Sequence, residues 1–262
     1  MRRAIAILCL LTACAAAADD GSRQRIGLVL AGGGAKGSAH IGVLKVLEEL
    51  RVPIDAIAGT SMGALVGGGY ASGLSAAEMD EAVTSVDWNQ LFDDDPPRAE
   101  WPMRRKEESL RPTFGFSIGR REGKFSLPKG AISGQEVLLY LSQLTDGAEG
   151  VEHFDELPIP FRAVATDLET GEMVVMDEGP LPLAMRASMA VPGVFAPLET
   201  NDRIYVDGGL VRNLPVDIAR GMGVDRLIVV KLDADPPTRE QLSTVLGSIG
   251  QMINFVFAQN EE

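Results

Sequence analysis

Apolar and polar positions along the chain alternate in segments that predict strands followed by helices. Residues 26–30 form an unbroken apolar run, which is typical of a strand buried on both faces of a parallel sheet. Residues 41–50 carry apolar side chains at helical spacing, with charged residues on the opposite side. A second apolar run, residues 54–58, leads into a helix of small residues that extends towards Ala71. The first 71 residues therefore predict a strand, a loop and a helix, and then a second strand and helix.

The rest of the chain continues this alternation. Two segments of capping-box type, Ser75 to Glu78 and Ser133 to Glu136, predict the starts of two helices. Later apolar segments predict further strands, the last of them buried: residues 161–165, 173–176, 204–206 and 227–232. Strands that alternate with helices predict one α/β domain.

Two segments leave alternatives open. The periodicity disappears between residues 93 and 130, which predicts either a lid or binding loop or a solvated surface insertion. From Leu242 to Phe257 apolar residues recur at helical spacing, so we expect a C-terminal helix within residues 234–262. Its apolar stripe predicts packing in the core of its own domain, a dimer interface that would make the protein a homo-oligomer, or a membrane face.

Composition narrows the class of partner. The chain has 262 residues, 45% of them hydrophobic, which is enough for one substantial core. Its formal net charge of −13 has the wrong sign for a nucleic-acid binder, so we expect no nucleic-acid partner. The same charge opposes attraction to anionic lipid, and any membrane contact must be mainly apolar.

The N-terminal segment predicts export. Residues 1–18 combine two arginines, a short apolar stretch and a run of alanines, as in a cleaved signal peptide. Both cysteines, Cys9 and Cys14, lie inside this segment, so a mature chain that starts near Asp19 has no structural disulfide. The residues that precede Cys14 also resemble a bacterial lipobox, and the alternative to cleavage after Ala18 is a lipidated Cys14. We expect the periplasm, the cell envelope or secretion.

The sequence Gly59-Thr60-Ser61-Met62-Gly63 has the pattern of a nucleophile elbow. In this pattern a serine occupies a sharp turn between a strand and a helix, and the flanking glycines leave room for that turn and for substrate. The alternative is an ordinary turn bracketed by glycines. As the first residue after the serine, Met62 can offer its N–H to a developing oxyanion.

A glycine-rich loop follows the first strand. Gly32, Gly34 and Gly37 match the dinucleotide-binding pattern, but Asp55 begins the second strand, whereas a ribose would need an acidic residue at its end. Lys36 lacks the following hydroxyl residue and the spacing of a P-loop. Consecutive glycines before a helix let backbone N–H groups converge, so the loop predicts an anion site, for which an oxyanion is a suitable guest.

A serine nucleophile also needs a base. The chain has only two histidines, and neither His40, just after the glycine loop, nor His153, in a polar connection, occupies the place expected in an α/β-hydrolase. We expect a packed or capping role for His40 and a surface position for His153. A carboxylate remains by exclusion, and Asp207 stands out because a strand ends on it and two glycines follow. The alternative for Asp207 is a surface turn.

Three motifs together resemble the patatin-like phospholipase family: Gly32 to Gly37, Gly59 to Gly63 and Asp207 to Gly209, in this order. The resemblance covers roughly residues 25–233, and the segment from Arg186 to Phe195 also looks like the one that precedes the aspartate motif in bacterial members. Lys36 stands where many members have arginine, which keeps the charge of the loop but changes its hydrogen-bond geometry.

The resemblance implies a three-layer α/β fold with a mostly parallel central sheet, and lipid acyl-ester hydrolysis of phospholipase A or lysophospholipase type. It implies a Ser-Asp dyad and no cofactor or metal; the substrate would be a membrane phospholipid or another lipid ester. The expected site residues are the nucleophile Ser61 and base Asp207, the oxyanion-hole residues Gly32, Gly33, Gly34, Ala35 and Met62, and the motif glycines Gly37, Gly59, Gly63, Gly208 and Gly209. The alternatives are a nucleotide-binding module and a catalytically silent lipid-binding domain.

Overall fold

The computed structural model describes residues 23–93, 132–233, 238–243 and 245–260, together with 103, 106, 119–121 and 124–126. The strands are β1 (Ile26–Leu30), β2 (Ala56–Thr60), β3 (Gly119–Arg121), β4 (Lys124–Ser126), β5 (Phe161–Asp167), β6 (Met173–Met176), β7 (Leu198–Thr200), β8 (Arg203–Asp207) and β9 (Arg226–Val230). The helices are α1 (Ala39–Glu49), α2 (Met62–Ala71), α3 (Ala76–Ser85), α4 (Trp88–Asp93), α5 (Gln135–Leu144), α6 (Leu181–Ser188), α7 (Val216–Gly221), α8 (Arg239–Leu242) and α9 (Val245–Gln259). The predicted signal segment and most of the irregular stretch from 93 to 130 lie outside the described residues.

A central sheet carries the strand order β7-β8-β5-β2-β1-β9, with β6 also paired to β5. The four strands β5, β2, β1 and β9 run parallel, as the expectation of a mostly parallel sheet requires. The remaining strands make the sheet mixed, because β6 and β8 are antiparallel to β5 and β7 is antiparallel to β8. Strands β3 and β4 form a separate antiparallel pair.

Helices cover both faces of this sheet, so the expected three-layer α/β architecture is confirmed. Leu28 and Leu30 of β1 belong to the main core, which includes residues of α1, α2 and α6, while Val29 between them packs with Ala219 of α7. Alternate residues of a strand point to opposite faces, which explains why a continuous apolar run is needed here. Gly67 brings α2 so close to β2 that a Cβ there would lie 2.9 Å from Ile57 Cγ2.

One of the two predicted capping boxes is present. At Ser75 the side chain accepts from the Glu78 N–H at 3.2 Å, and the Glu78 carboxylate accepts from the Ser75 N–H at 2.8 Å. The box predicted at Ser133 is wrong, because the N-cap of α5 is Gly134, at φ +77°, and no side chain caps the helix. Ser133 instead offers its carbonyl oxygen to the Arg186 guanidinium at 3.0 Å.

The prediction of a buried last strand is also wrong. Strand β9 lies at one end of the strand order and pairs with β1, and its residues are exposed or half-buried. An apolar run alone does not distinguish a central strand from an edge strand. None of the described helices is long and apolar enough to cross a membrane.

Candidate active site

Ser61 occupies the sharp turn between β2 and α2. Its backbone is at φ +55° and ψ −122°, a conformation that a residue with a side chain rarely adopts. The glycines on either side make the turn compact: Gly59 lies against the Gly63 backbone, and Gly63 lies against the carbonyl oxygen of Leu30. Ser61 is 3% exposed and borders a large pocket. The turn has the geometry that the nucleophile-elbow pattern predicts.

Asp207 ends β8 and is completely buried. Its Oδ1 atom accepts a hydrogen bond from the Gly209 N–H at 2.8 Å, and its Oδ2 atom is buried and meets no donor at hydrogen-bonding geometry among the described residues. Burial raises the pKa of Asp207 to about 7, although hydrogen bonding from the Ser61 hydroxyl and the Gly209 N–H lowers it. The Ser61 hydroxyl is thus close enough to lower the pKa of Asp207, but it makes no well-aligned hydrogen bond to Oδ2. Catalytic hydrogen bonds are often poorly aligned in unliganded sites.

The register of the sheet brings these two residues to the same level. Strand β5 lies between β2 and β8, and it pairs Val164 with Thr60 on one side and Ala165 with Asp207 on the other. Gly208 lies against the carbonyl oxygen of Val164, where a side chain would collide with the strand. The aspartate turn can therefore pack across β5 towards the serine turn.

Ser188 at the end of α6 was not identified from the sequence as a site residue. Its hydroxyl accepts a hydrogen bond from the Ser61 N–H at 2.8 Å and donates one to the carbonyl oxygen of Val164 at 2.6 Å. It therefore ties the strained serine turn to β5. The only signal in the sequence is its place in the Arg186 to Phe195 segment that resembles bacterial family members.

The glycine loop leads from β1 into a short 3₁₀ turn, Gly34–Ser38, with Gly33 as its N-cap and Gly34 at φ +54°. The first N–H groups of a helical turn have no hydrogen-bond acceptor inside that turn. The N–H groups of Gly34 and Ala35 are in this position. Met62 is likewise the first residue of α2. The Gly32 N–H differs, because it points to the carbonyl oxygen of Asn213 at 3.4 Å.

Gly37, one of the predicted motif glycines, is buried beside the Met62 side chain, and a larger residue at position 37 would collide with that side chain. Gly209 lies under the ring of Phe257, and a Cβ there would be 2.7 Å from the Phe257 Cζ atom. Both glycines thus permit close packing next to a predicted site residue.

The backbone of Arg212 and Asn213 connects three parts of the site, which the sequence did not indicate. The Arg212 carbonyl oxygen accepts from the Thr60 hydroxyl at 2.9 Å, just before the serine turn. The Asn213 carbonyl oxygen is the partner of Gly32 in the glycine loop, and the Asn213 N–H donates to the Asn260 carbonyl oxygen at 3.1 Å. The elbow, the glycine loop and the C-terminal helix therefore share one short segment.

Neither histidine has a place suited to a base for Ser61. His40 is buried beneath the glycine loop, where its Nε2 atom lies 2.8 Å from the carbonyl oxygen of Ala31. Burial lowers the pKa of His40, with the Ala31 contact opposing the effect. The His153 side chain is 60% exposed and lies beside Glu178. The expectations of a packed His40 and a surface His153 match these positions.

A pocket of about 1080 Å³ opens above the serine. Its walls come from the glycine loop, from the segment Met189 to Phe195, from Trp88 and Phe92, and from one side of α9. Most of the lining is apolar, which suits an aliphatic ligand better than a polar one.

The nucleotide-binding alternative lacks its acidic residue. Asp55 forms an ion pair with Arg23 at 2.7 Å and accepts from the Ile26 N–H at 2.7 Å. It precedes β2, at the opposite end of that strand from the glycine loop. Across the part of the chain that the structure describes, no cluster of three or more His, Cys, Asp or Glu residues is arranged to hold a metal ion.

Comparison with known proteins gives one family and several relatives. The family model described as "Patatin-like phospholipase" matches residues 28–220. An uncharacterised NTE family protein of Mycobacterium tuberculosis is 33% identical over 249 residues, covering 91% of this chain and 60% of that protein. Patatin-like phospholipase domain-containing protein 6 of Homo sapiens is 31% identical over 215 residues, covering 81% of this chain and 14% of that protein. The chain thus spans only part of the length of these relatives.

Two solved structures show weaker likeness. VipD from Legionella pneumophila has a TM-score of 0.47 at 16% identity, covering 74% of this chain and 47% of that chain. The type III effector protein ExoU has a TM-score of 0.40 at 16% identity, covering 90% of this chain and 53% of that chain.

Proposed function

The chain belongs to the patatin-like phospholipase family, and we propose that it is a lipid acyl hydrolase that cleaves fatty-acyl esters with Ser61 as nucleophile and Asp207 as general base. The observation that carries the proposal is the pairing of a strained serine, which borders an apolar pocket, with a buried carboxyl whose pKa is about 7. The activity is of phospholipase A or lysophospholipase type.

In the first step Asp207 removes the proton of the Ser61 hydroxyl as the serine oxygen attacks the ester carbonyl carbon. An ordinary aspartate is a weak base for this transfer, whereas a carboxyl with a pKa near the working pH is well matched to it. The ester C=O bond becomes a C–O⁻ bond in the tetrahedral intermediate. The hydrogen bond from Gly209 to Oδ1 leaves Oδ2 as the oxygen that accepts the proton.

Backbone N–H groups stabilise the oxyanion of this intermediate. The Gly34, Ala35 and Met62 N–H groups start helical turns beside Ser61 and have no acceptor within them. Gly33 precedes the 3₁₀ turn and borders the pocket. Gly32 contributes less as a donor, because its N–H already points to Asn213. Its role is to let the loop lie against Ser61, since a Cβ there would be 3.0 Å from Ser61 Cβ.

Collapse of the intermediate breaks the bond to the alcohol, which takes the proton from Asp207 as it leaves. Ser61 then holds the acyl group as an ester. Asp207, again ionised, removes a proton from water as the water attacks the acyl carbonyl. The second intermediate expels the serine oxygen, which recovers its proton, and the fatty acid is released.

The decisive experiment combines Ser61→Ala with covalent labelling. We expect the wild-type protein to hydrolyse fatty-acyl esters and to incorporate an organophosphonate at Ser61, as located by mass spectrometry. Ser61→Ala should remove the label and lower turnover by about 10⁴-fold or more, because the nucleophile is lost. Undiminished turnover in a folded Ser61→Ala protein would reject the assignment.

The same assays distinguish the alternative of a catalytically silent lipid-binding domain, which would bind lipid without turnover or labelling. Phospholipids, lysophospholipids, triacylglycerols and simple esters form the substrate panel. A dinucleotide titration followed by thermal shift serves as the control for a nucleotide-binding module, and we expect no stabilisation.

We also propose that the protein is exported, on the basis of residues 1–18. Mass spectrometry of the mature protein from its native host should find an N-terminus at or near Asp19. An N-terminal diacylated Cys14 would instead identify a lipoprotein.

A further inference from the structure

The C-terminal helix α9 lies beyond the segment that matches the family. The match ends at residue 220, whereas α9 comprises Val245–Gln259. This helix contains no charged residue, in a chain of which 23% of the residues are charged. The family model therefore gives no role to this uncharged helix, which lies outside the residues that it matches.

One side of α9 lines the pocket that Ser61 borders. Ile253 and Phe257 both border the pocket, one turn apart on the helix, which places them on one face. The Phe257 ring lies on Gly209, two residues after Asp207. An apolar wall therefore stands next to the proposed base.

Hydrogen bonds fix the end of the helix to the aspartate turn. The Asn260 side chain donates to the carbonyl oxygen of Leu210 at 2.6 Å, and its Nδ2 atom lies 3.5 Å from that of Gly209. The Asn260 carbonyl oxygen accepts from the Asn213 N–H at 3.1 Å. These bonds hold the C-terminal end of α9, and with it Phe257, against the aspartate turn.

The helix also carries a matched apolar residue that does not face the pocket. Met252 is 66% exposed and lies outside the pocket lining. It shares the helix, the apolar character and the approximate size of Phe257. Substitution at Met252 therefore controls for general effects on α9.

We propose that α9 forms the wall that binds the aliphatic chain of the ligand, with Phe257 as the residue that sets the preference for long acyl chains. This proposal rests on the proposed function, because it places the acyl chain between the ester at Ser61 and α9. Contact with the ring removes methylene groups from water, and that gain grows with chain length. A short acyl group has few methylene groups to bury against the ring, so its binding depends less on Phe257.

The first test measures binding without catalysis. Parinaric acid, a fluorescent long-chain fatty acid, is titrated into the full-length protein and its variants. We expect Phe257→Ala to weaken binding about tenfold, which is the size of effect that loss of an apolar contact produces in a pocket. Asn260→Ala should also weaken the binding of parinaric acid, because the end of α9 is no longer held against the aspartate turn. Met252→Ala should change this binding less than twofold.

The second test measures specificity with p-nitrophenyl esters from acetate to palmitate. Phe257→Ala should raise KM for the decanoate and longer esters about tenfold and should raise KM for the acetate ester much less. Equal losses on acetate and decanoate would mean that Phe257 only supports the Asp207 turn, and would overturn the proposal. So would equal effects of Phe257→Ala and Met252→Ala on parinaric acid binding.

These measurements fail separately from the proposed function. Loss of fatty-acid binding in Phe257→Ala but not in Met252→Ala supports the wall even if no ester is hydrolysed. Conversely, turnover that depends on Ser61 and is indifferent to Phe257 at every chain length keeps the hydrolase and rejects the wall.

Discussion

At Asp207 the same burial has two opposite effects. Exclusion of water raises the pKa of the carboxyl to about 7, which makes its ionised form a stronger base than an exposed aspartate. The same exclusion makes that ionised form costly to hold inside the protein, because among the described residues only the Gly209 N–H makes a well-aligned hydrogen bond to it. The burial of Asp207 therefore increases the basicity of its carboxylate and lowers the stability of the folded protein when that carboxylate is ionised.

The pH dependence of turnover follows from that pKa. If the ionised carboxyl is the base, as proposed, kcat/KM should rise about tenfold per pH unit up to about pH 7 and then level off. Burial lowers the pKa of His40, away from the pH at which the profile should level off. The measurement is a pH-rate profile on a soluble ester. His153→Gln is the control and should leave the profile unchanged; loss of the rise in that variant would identify a histidine base.

Ser188 contacts the proposed nucleophile, Ser61, through its backbone N–H. Ser188→Ala leaves the Ser61 N–H and the Val164 carbonyl oxygen without the hydroxyl that joins them. We expect kcat to fall about tenfold with KM unchanged, together with a loss of about 1–3 kcal/mol in the free energy of unfolding. Steady-state kinetics and urea denaturation measure the two effects.

Ser72 provides a matched control for Ser188. Its hydroxyl is also buried and donates to a backbone carbonyl, that of Gly69, at 2.7 Å, but at the far end of α2 from Ser61. Ser72→Ala should destabilise the fold with no change in kcat. If both variants lost activity in proportion to stability, Ser188 would have a structural role only.

At the scale of elements, Arg186 of α6 joins the start of α5 to the wall of the pocket. Its guanidinium donates to the carbonyl oxygens of Ser133 and Ala196, and it stacks over the ring of Phe195 at 5.0 Å. The space that it occupies is the space that a side chain at Gly134 would need. A glycine at φ +77° thus lets two segments that are distant in sequence share one cation.

Gly134→Ala should therefore be more damaging than its backbone conformation alone explains. Gly150 has a similar φ of +84° and open space where a Cβ would stand, so Gly150→Ala carries only the conformational penalty. That penalty is about 1–2 kcal/mol. In urea denaturation we expect Gly134→Ala to lose more than Gly150→Ala, because Arg186 is displaced; equal losses would show that the guanidinium moves aside freely.

The local elements were predictable where the signal was local. Strands β1 and β2, the serine turn and the box at Ser75 depend on neighbouring residues, and the structure has them where the sequence predicted them. The box at Ser133 is absent because the N-cap of α5 lies one residue later, at Gly134, where Arg186 from a distant part of the chain occupies the space that a side chain would need. The burial of β9 failed because its place in the strand order depends on the whole sheet.

At the scale of the whole molecule, the meeting of Ser61 with Asp207 depends on strand order and register. The aspartate was selected from the sequence by exclusion of the histidines and by its two glycines, and neither argument gives a distance. The pairing register of β5 with β2 and β8 places Ser61 and Asp207 at the same height along the sheet. The positions of Ser188, Asn213 and α9 could not be predicted, because their partners are 24 or more residues away.

Asp207 should also affect the stability of the whole molecule. Its pKa is raised on folding, from 3.8 to about 7, so the stability associated with its protonated form is present below about pH 4 and is lost as the pH rises to 7. Asp207→Asn has no such charge, and it should be more stable than wild type at pH 8, by on the order of a few kcal/mol. The same substitution should abolish turnover.

Thermal unfolding at pH 5 and pH 8 provides the measurement. The difference in Tm between Asp207→Asn and wild type should be largest at pH 8 and should shrink at pH 5, where the wild-type carboxyl is mostly protonated. A variant that is less stable than wild type at pH 8 would show that the carboxylate contributes favourable bonds to the fold.

The backbone of Ser61 has a consequence for how this sequence would change under selection. At φ +55° glycine is the residue with least strain, and serine there costs on the order of 1 kcal/mol or more. A library screened only for heat resistance, with no demand for turnover, should therefore accumulate glycine at position 61. Selection for a stronger fold alone would then remove the proposed nucleophile, so stability and turnover impose opposite demands at this position.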